Sequence, residues 1–254
     1  MPRSDPIRKR YYDTVEVVDK VSDALFYVGA VLSFGALFVD RAMYPRAYDA
    51  ILITFGVSAL ALFAIGLASR FYLTPRAEDK RHQDFLSSAC GVDLIHQRTD
   101  GYYNNDFTDP IKRMAAQVLE NSHFSKAIAL RMAKCERTKI GVYVVLWLIC
   151  LMYRRTDLGV VVAASQALFS EQVLAKWIRL EWLRMRFEKT YDDVYKLFQS
   201  RPPVGKFNAM ALDALLMYET AKANAAVTLS SKTFEELNAT LSDDWDAIKV
   251  ALKI

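Results

Sequence analysis

Residues 50–69 read AILITFGVSALALFAIGLAS. This run of 20 residues contains no charged side chain. A helix rises 1.5 Å per residue, so about 20 residues are needed to cross the roughly 30 Å hydrocarbon core of a bilayer. The stretch therefore predicts a transmembrane helix, and it makes an integral membrane protein the first hypothesis for the whole chain.

Three further apolar blocks lie at residues 24–39, 140–153 and 158–170. The last two contain 14 and 13 residues, lengths that also fit a buried helix or a re-entrant segment. Lys139, Arg154 and Arg155 flank the third block, and their long side chains can lengthen the effective span by reaching water. We therefore predict an all-α fold, a four-span membrane helical bundle of two hairpins with a helical cytoplasmic region. Incomplete spanning by the 140–170 hairpin is the alternative.

The basic residues predict the orientation of these spans. Lysine and arginine are concentrated before the first block, between the second and third, and after the fourth. The two short connecting loops carry only Arg41 with Arg46 and Arg154 with Arg155. By the positive-inside rule, both termini and the middle segment are cytoplasmic. The predicted segments are a cytoplasmic N-terminal segment 1–23, a first hairpin 24–69, a cytoplasmic segment 70–139, a second hairpin 140–170 and a cytoplasmic helical tail 171–254.

Helix-boundary residues predict further helices outside the apolar blocks. Asp109 followed by Pro110 is typical of an N-cap and a first helical position. We expect this helix to end near Glu120, and a second to start near Phe124 and enter the third block. Residues 171–199 contain no glycine or proline, so the fourth block should continue as a helix until the prolines at 202–203. The tail predicts a helix from about Asn208 to Val227, one opened by the capping box Thr233 to Glu236, and a last turn pattern from Asp243.

Motifs of catalysis and metal binding are missing from the sequence. The three cysteines, Cys90, Cys135 and Cys150, have no CxxC spacing, and no histidine stands in an HExxH pattern. No GxSxG, Walker A or GxGxxG motif occurs. The net charge of +4 comes mostly from residues that flank the apolar blocks. We predict a protein that is not an enzyme and that has no cofactor and no metal site.

The polar stretch RTDGYYNND at residues 98–106 is a candidate nucleotide-binding turn. Tyrosine rings can stack on bases, and asparagine side chains can donate to and accept from a base edge. The alternative is a turn whose tyrosines pack on neighbouring helices and whose asparagines bond to loop backbone. The candidate ligand-binding residues are Tyr102, Tyr103, Asn104 and Asn105, with Lys112, Arg113, Arg76, Lys80 and Arg81 as phosphate partners.

The fourth block is the most polar of the apolar blocks. Ser165, Gln166 and Ser170 lie within it, and Glu171 follows directly. Polar side chains in hydrocarbon tend to face the interior of a bundle or water, so we predict that these four residues line a pore. Hydrogen bonding between helices, which would only hold the bundle together, is the alternative.

The strings KRHQDFLSSACGVDLIHQRTDGYYNND, residues 80–106, and ENSHF, residues 120–124, carry a resemblance to a protein family. They resemble small bacterial membrane proteins found beside nucleotidyltransferase-like genes and described as pore-forming effectors of anti-phage defence. The four-span effectors of nucleotide-signalling systems, among them the membrane effector of the Hailong system, are similar in architecture along the whole chain.

The resemblance implies a multi-pass protein of the bacterial inner (plasma) membrane with a defined set of partners. These are the lipid bilayer, further copies of the chain in a homo-oligomer such as a tetramer, and a nucleotide or oligonucleotide signal. A partner nucleotidyltransferase would make the signal, which would gate the ion channel through its cytoplasmic region. The alternative function is a non-conducting membrane-anchored scaffold that recruits a cytoplasmic partner.

Overall fold

Helices make up most of the described part of the chain. The computed structural model describes residues 5–99, 103, 105, 107–153 and 157–254, and all regular elements among them are helices. The α-helices are α1 (Asp13–Phe38), α2 (Pro45–Ala68), α3 (Thr74–Cys90), α4 (Pro110–Met152), α5 (Leu158–Leu168), α6 (Lys176–Ser200), α7 (Val204–Ala225) and α8 (Ser231–Leu252). Three π-helical turns continue directly into α-helices: Arg8–Tyr12 into α1, Ser69–Leu73 from α2 into α3, and Glu171–Ala175 into α6.

Three helical stretches are long and apolar enough to cross a membrane. They are Arg8–Phe38, Pro45–Cys90 and Leu158–Ser200. Only 0%, 6% and 17% of their most apolar segments is buried within the protein, so these apolar side chains lie at its surface. An exposed apolar surface of this extent is stable only against other apolar groups. The predicted all-α fold is confirmed, and the three helices fit a membrane helical bundle.

The remaining long helix, α4, is not among the helices that are long and apolar enough to cross a membrane. Helix α4 is 43 residues long, but its apolar part follows Glu136, Arg137 and Lys139 and is confined to the C-terminal end. Its large side chains are nevertheless exposed, among them Val145, Ile149 and Met152.

The chain divides into two compact units. We call Asp13–Pro75 with Cys135–Ile178 the apolar unit, and Met1–Tyr12, Arg76–Lys134 and Arg179–Ile254 the core unit. Three segments that are distant in sequence therefore build the core unit. The chain passes between the units four times, and each passage lies inside a helical stretch.

In the apolar unit, α1 and α2 form a hairpin, and α4 packs against α5. Asp40 holds the first turn, because its side chain and carbonyl oxygen accept from the backbone N–H groups of Ala42 and Tyr44 at 2.8 and 2.9 Å. On the other side, Trp147 of α4 donates to the hydroxyl of Ser165 in α5 at 2.8 Å. An interhelical hydrogen bond of this kind is favourable in hydrocarbon, where an unpaired indole N–H is costly.

The core unit surrounds one large hydrophobic core. It is built by α3, the first half of α4, α6, α7 and α8. Aromatic rings meet in its centre, since Phe187 packs on Tyr218 with 5.1 Å between ring centroids and Phe107 stacks on Phe198 at 5.9 Å. The largest fully buried side chain is Trp245 of α8. The apolar side chains that recur along α6 from Leu180 to Phe198 are buried in this core.

The helix predicted to end near Glu120 does not end there. Residues 121–124 lie within α4, and the predicted start of a second helix at Phe124 is wrong. Ser122 donates to the carbonyl oxygen of Leu119 at 2.9 Å, so its hydroxyl is satisfied without leaving the helix. Because Val118 and Leu119 are fully buried, packing overrides the weak helix propensity of the Asn-Ser pair.

Other boundaries differ from the predictions by a few residues. Asp109 caps α4 as expected by accepting from the N–H of Lys112 at 2.9 Å, and α6 ends before the two prolines. Helix α7 starts at Val204, earlier than predicted, because Pro203 serves as its N-cap. The predicted capping box at Thr233 is wrong: the cap of α8 is Ser230, whose hydroxyl accepts from the N–H of Thr233 at 3.2 Å. The pattern from Asp243 continues the same helix, and residues 169–170 interrupt the predicted continuation of the fourth block.

The surroundings of His123 in the core unit favour the neutral form of its ring. Its ring packs against those of Tyr191 and Trp245, and Nε2 lies 3.3 Å from the carbonyl oxygen of Leu241. A carbonyl only accepts, so Nε2 carries the hydrogen of the neutral ring. Burial, and then the charge of Lys126, lower the pKa of His123 below its ordinary value of 6.5.

We predict that acidification destabilises the core unit through His123. The unfolded chain takes up a proton near the ordinary pKa of 6.5, whereas the folded ring resists it. This contribution to stability is complete above that pH and is lost as the pH falls below it. In detergent, the melting temperature should drop more between about pH 7.5 and about pH 5.5 for the wild type than for His123→Gln. The exposed His82 offers the control: His82→Gln should behave like the wild type, and equal drops in all three would contradict the prediction.

Lys222 of α7 lies in an ionic cluster of the core unit. Its Nζ lies 2.6 Å from an oxygen of Glu78 and 3.2 Å from one of Glu219. Burial opposes the charge of Lys222, but the two carboxylates outweigh it and raise its pKa well above 10.5. Tyr12 donates to the other oxygen of Glu78 at 2.9 Å, so the cluster fixes the N-terminal segment to α3 and α7.

Loss of this cluster should cost more than loss of a surface ion pair. Removing one member of a buried ion pair lowers the free energy of unfolding by about 3–5 kcal/mol, and breaking an exposed pair lowers it by about 0–1 kcal/mol. Because Glu78 is partly buried, we predict that Glu78→Gln lowers the free energy of unfolding by about 2 kcal/mol. The exposed pair of Lys189 and Asp193 supplies the control, since Lys189→Ala should change the free energy of unfolding by less than about 0.5 kcal/mol. Denaturant unfolding in detergent measures both, and equal effects would contradict the prediction.

Candidate functional site

The 98–106 stretch is anchored to α3 by its first residues. The backbone N–H and the hydroxyl of Thr99 donate to the two carboxylate oxygens of Asp84 at 3.0 and 2.7 Å. Arg98 donates to the carbonyl oxygen of Val92 at 2.6 Å and pairs with Asp93 at 2.8 Å. The entry to the stretch is therefore fixed by side-chain bonds to backbone and carboxylate groups. Of the predicted ligand-binding residues, Tyr102 and Asn104 lie outside the described residues.

Tyr103 and Asn105 turn towards the protein. The ring of Tyr103 meets Phe85 of α3 edge to face, with 5.8 Å between centroids, and it packs against the hydrophobic core. The side-chain oxygen of Asn105 is buried and accepts no hydrogen bond from any described residue. Burying such an oxygen without a donor costs about 1–3 kcal/mol. Tyr103 thus has the packing role that the sequence left as the alternative, whereas Asn105 keeps an acceptor for a further donor.

Arg113 and Lys112, both predicted to bind phosphate, have different surroundings. Arg113 donates to the carbonyl oxygens of Phe107 at 2.7 Å and of Ser88 at 3.2 Å, which closes the loop between α3 and α4. One turn further along α4, Gln117 donates to the hydroxyl of Ser88 at 2.8 Å. The side chain of Lys112 is exposed. Lys112 therefore remains the cation at the start of α4 that can meet a phosphate from solution.

Two of the three predicted cations of α3 contact the N-terminal segment. The guanidinium of Arg76 lies 5.5 Å from the ring centroid of Tyr11, and Arg81 pairs with Asp5 at 2.6 Å. Lys80 donates to the side chain of Gln83 at 3.1 Å. Arg113 contacts Ser88, and Ser88 lies twelve helical residues after Arg76 in α3. At a rise of 1.5 Å per residue, the two arginines are therefore about 18 Å apart along α3. The structure places the predicted cations in two groups.

The sequence reasoning missed two residues of the first group, Arg10 and Tyr11. The guanidinium of Arg10 lies 6.0 Å from the ring centroid of Tyr11, and Arg76 contacts the same ring. In the sequence, the run RKRYY at residues 8–12 counts only towards the basic residues that precede the first apolar block. Its combination of basic and aromatic side chains also occurs on surfaces that bind single-stranded nucleic acid, and it is the signal that could have identified both residues.

Two of the four predicted pore-lining residues form hydrogen bonds within the protein, and the other two are exposed. Ser165 donates to the carbonyl oxygen of Val161 at 2.8 Å while it accepts from Trp147, and Ser170 donates to Ala167 at 2.8 Å. These two hydroxyls serve the bundle itself. Glu171 is exposed in the π-helical turn after α5, and Gln166 is exposed on α5.

A cavity of about 210 Å³ lies beside Gln166 in the apolar unit. Helices α1, α2 and α5 form its walls. Small side chains line most of it, and two serines of the first hairpin contribute polar groups that the sequence reasoning had not considered. Its polar lining consists of Ser33, Ser58 and Gln166.

Within the described residues, no three histidine, cysteine or carboxylate side chains come together in the way a metal site requires. Comparison of the chain with protein-family models, with curated proteins and with solved structures finds no match. The resemblance of this chain to membrane effectors stays a prediction.

Removing the Asp84 carboxylate should release the loop after α3. Both hydrogen bonds to Thr99 disappear in Asp84→Ala, and we predict that trypsin cleaves after Arg98 at least several-fold faster. Asp79→Ala, on the exposed side of the same helix, is the matched control and should be cleaved like the wild type. Identical cleavage rates for all three proteins would show that Asp84 does not hold the loop.

Proposed function

We propose that the protein is a pore-forming membrane effector that is gated through its core unit by a nucleotide or oligonucleotide. In this proposal four helical segments cross the bilayer, and the core unit lies in the cytoplasm. The observation that carries it is the helical continuity of all four passages between the apolar unit and the core unit.

The number of spans is supported by the composition of the core unit. A compact unit made of three chain segments has to lie on one side of a membrane, so the chain between consecutive segments crosses an even number of times. Helices α1 and α2 provide two crossings between residues 12 and 76. Since the helical stretch beginning at Leu158 provides one crossing between residues 134 and 179, the apolar end of α4 provides the other.

The short apolar end of α4 can serve as a span with help from its flanks. The 13 residues from Ile140 to Met152 cover about 20 Å, which is less than the hydrocarbon thickness. Arg137 and Lys139 at its start can extend the span by snorkelling. The pairing of Trp147 with Ser165 also favours α4 and α5 lying at the same depth.

Gating is supported by the same continuity. A ligand that shifts the N-terminal segment, α3 or the first half of α4 displaces helical stretches that are themselves spans, because these stretches run without a break from the core unit into the apolar unit. The three π-helical turns lie within about ten residues of a passage, and π-helical turns are common at functional sites because they can shift register.

The spacing of the cations favours an oligonucleotide over a mononucleotide. Stacked nucleotides rise by 3.4 Å, so the roughly 18 Å between the surroundings of Arg76 and Arg113 corresponds to about five nucleotides. Arg10 and Arg76 flank Tyr11 at one end, and Lys112 is exposed at the other. The resemblance to the nucleotide-signalling effectors suggests a partner nucleotidyltransferase as the source of this ligand and a homo-oligomer as the conducting form.

Ion flux into liposomes tests the proposal. Purified wild-type protein should pass ions, and an oligonucleotide of about five residues should change the flux more strongly than a dinucleotide of equal concentration. Arg10→Ala/Arg76→Ala should require at least about tenfold more oligonucleotide for the same change, because two phosphate contacts are lost. The exposed Lys232→Ala is the control for unspecific charge loss. A protein that passes no ions with or without these ligands would contradict the proposal.

The alternative, a non-conducting membrane-anchored scaffold, draws support from the exposed apolar side chains of α7. Leu212 and Leu216, one turn apart, are 45% and 64% exposed and form an apolar face on the core unit. The scaffold predicts that the wild type passes no ions into liposomes and that Leu212→Ser/Leu216→Ser abolishes function in cells. The pore predicts that flux and function in cells change together.

A further inference from the structure

Polar side chains of the apolar unit fall into two classes. In the first class, hydroxyls donate to the carbonyl oxygen one turn earlier in their own helix. Thr54 does so to Ala50 at 2.8 Å and Ser165 to Val161 at 2.8 Å. This is the usual way in which a hydroxyl is satisfied inside hydrocarbon.

Ser33, Ser58 and Gln166 belong to the second class. Their side chains make no hydrogen bond with any residue that the structure describes. They come from α1, α2 and α5, and all three line the same cavity of about 210 Å³. Ser58 is only 7% exposed, so little of the residue reaches the surface of the protein.

The walls around these polar groups explain why the cavity exists. Gly29, Ala59 and Ala167 carry little or no side chain, so the three helices leave a space that larger residues would fill. At Gly29 the nearest atom to an added Cβ would be a ring carbon of Phe55 at 4.0 Å. A volume of about 30 Å³ per water molecule leaves room for several waters in the cavity. Cavities lined only by apolar groups stay dry, whereas polar, roomy ones hold water.

We infer that this cavity is filled with water and that ions pass along it. The second part rests on the proposed pore function. Unpaired hydroxyls and an amide are costly in contact with lipid, and water satisfies them. Gln166 lies on the exposed side of the cavity and extends the polar path to the surface of the protein. The conduction path therefore follows α1, α2 and α5, and it is not formed by the hydroxyls of Ser165 and Ser170.

Cysteine labelling distinguishes a wet cavity from a dry one. A thiol reacts with a charged thiosulfonate reagent as the thiolate, a form that exists in water and not in lipid. In a variant with the three native cysteines replaced, Ser58→Cys should be modified at least about tenfold faster than Val57→Cys. Val57 is the matched control because it is the adjacent residue, at nearly the same depth, and is 61% exposed on the apolar surface. Equal or slower modification of Ser58→Cys would overturn the inference.

A second pair of cysteine variants keeps the test valid if the protein does not tolerate Ser58→Cys. Gln166→Cys, at an exposed position that accepts a smaller side chain, should be modified faster than Leu60→Cys, which is 71% exposed on α2 beside the cavity wall. Slow modification of Gln166→Cys as well as Ser58→Cys means a dry cavity.

Flux measured in the same liposomes separates the cavity from the pore. In a conducting protein, modification of Ser58→Cys or Gln166→Cys should reduce the flux several-fold, and modification of Leu60→Cys should not. Fast modification without a change in flux would overturn the assignment of the conduction path. If none of the proteins conducts, the proposed function fails, while the labelling rates still decide whether the cavity holds water.

Discussion

The organisation of this protein depends on the constraint that a compact unit cannot be divided by a bilayer. The core unit takes one segment from each end of the chain and one from its middle. Each excursion into the apolar unit therefore has to return to the side on which it began. For the first excursion a hairpin with a turn at Asp40 is sufficient. For the second, the proposed four-span arrangement needs the end of α4 to cross the membrane, which the composition of α4 alone leaves undecided.

Much of the fold could be predicted from the sequence, because hydrophobic length and helix-ending residues act locally. The blocks at 24–39 and 50–69, the cap at Asp109 and the end of α6 before the prolines are all where the pattern indicated. The errors arose where tertiary packing overrides local preference. Asn121 and Ser122 resemble a helix boundary, yet they lie within α4 because the residues before them are fully buried.

The candidate site was less predictable, because a motif does not reveal which of its side chains the core will use. Tyr103 packs on Phe85, and Arg113 closes a loop through backbone carbonyls. Neither contact has a signal in the sequence, since each joins residues of different elements. The approach of Arg76 to Tyr11 is likewise a product of folding, and it joins residues 65 positions apart. The same holds for the polar side chains of the apolar unit. Some form hydrogen bonds within their own helix and others line a cavity, and only the packing of three helices shows which do which.

The account depends most directly on the second hairpin crossing the membrane. In a variant without the native cysteines, a membrane-impermeant maleimide can be applied to intact cells that carry Met43→Cys or Tyr153→Cys, both at exposed positions of the two turns. Four spans predict that both cysteines are labelled from outside the cell and that a cysteine at the exposed Lys232 in the core unit is labelled only after lysis. Labelling of Met43→Cys together with protection of Tyr153→Cys until lysis would show that α4 and α5 do not cross, and the account of the pore would be wrong.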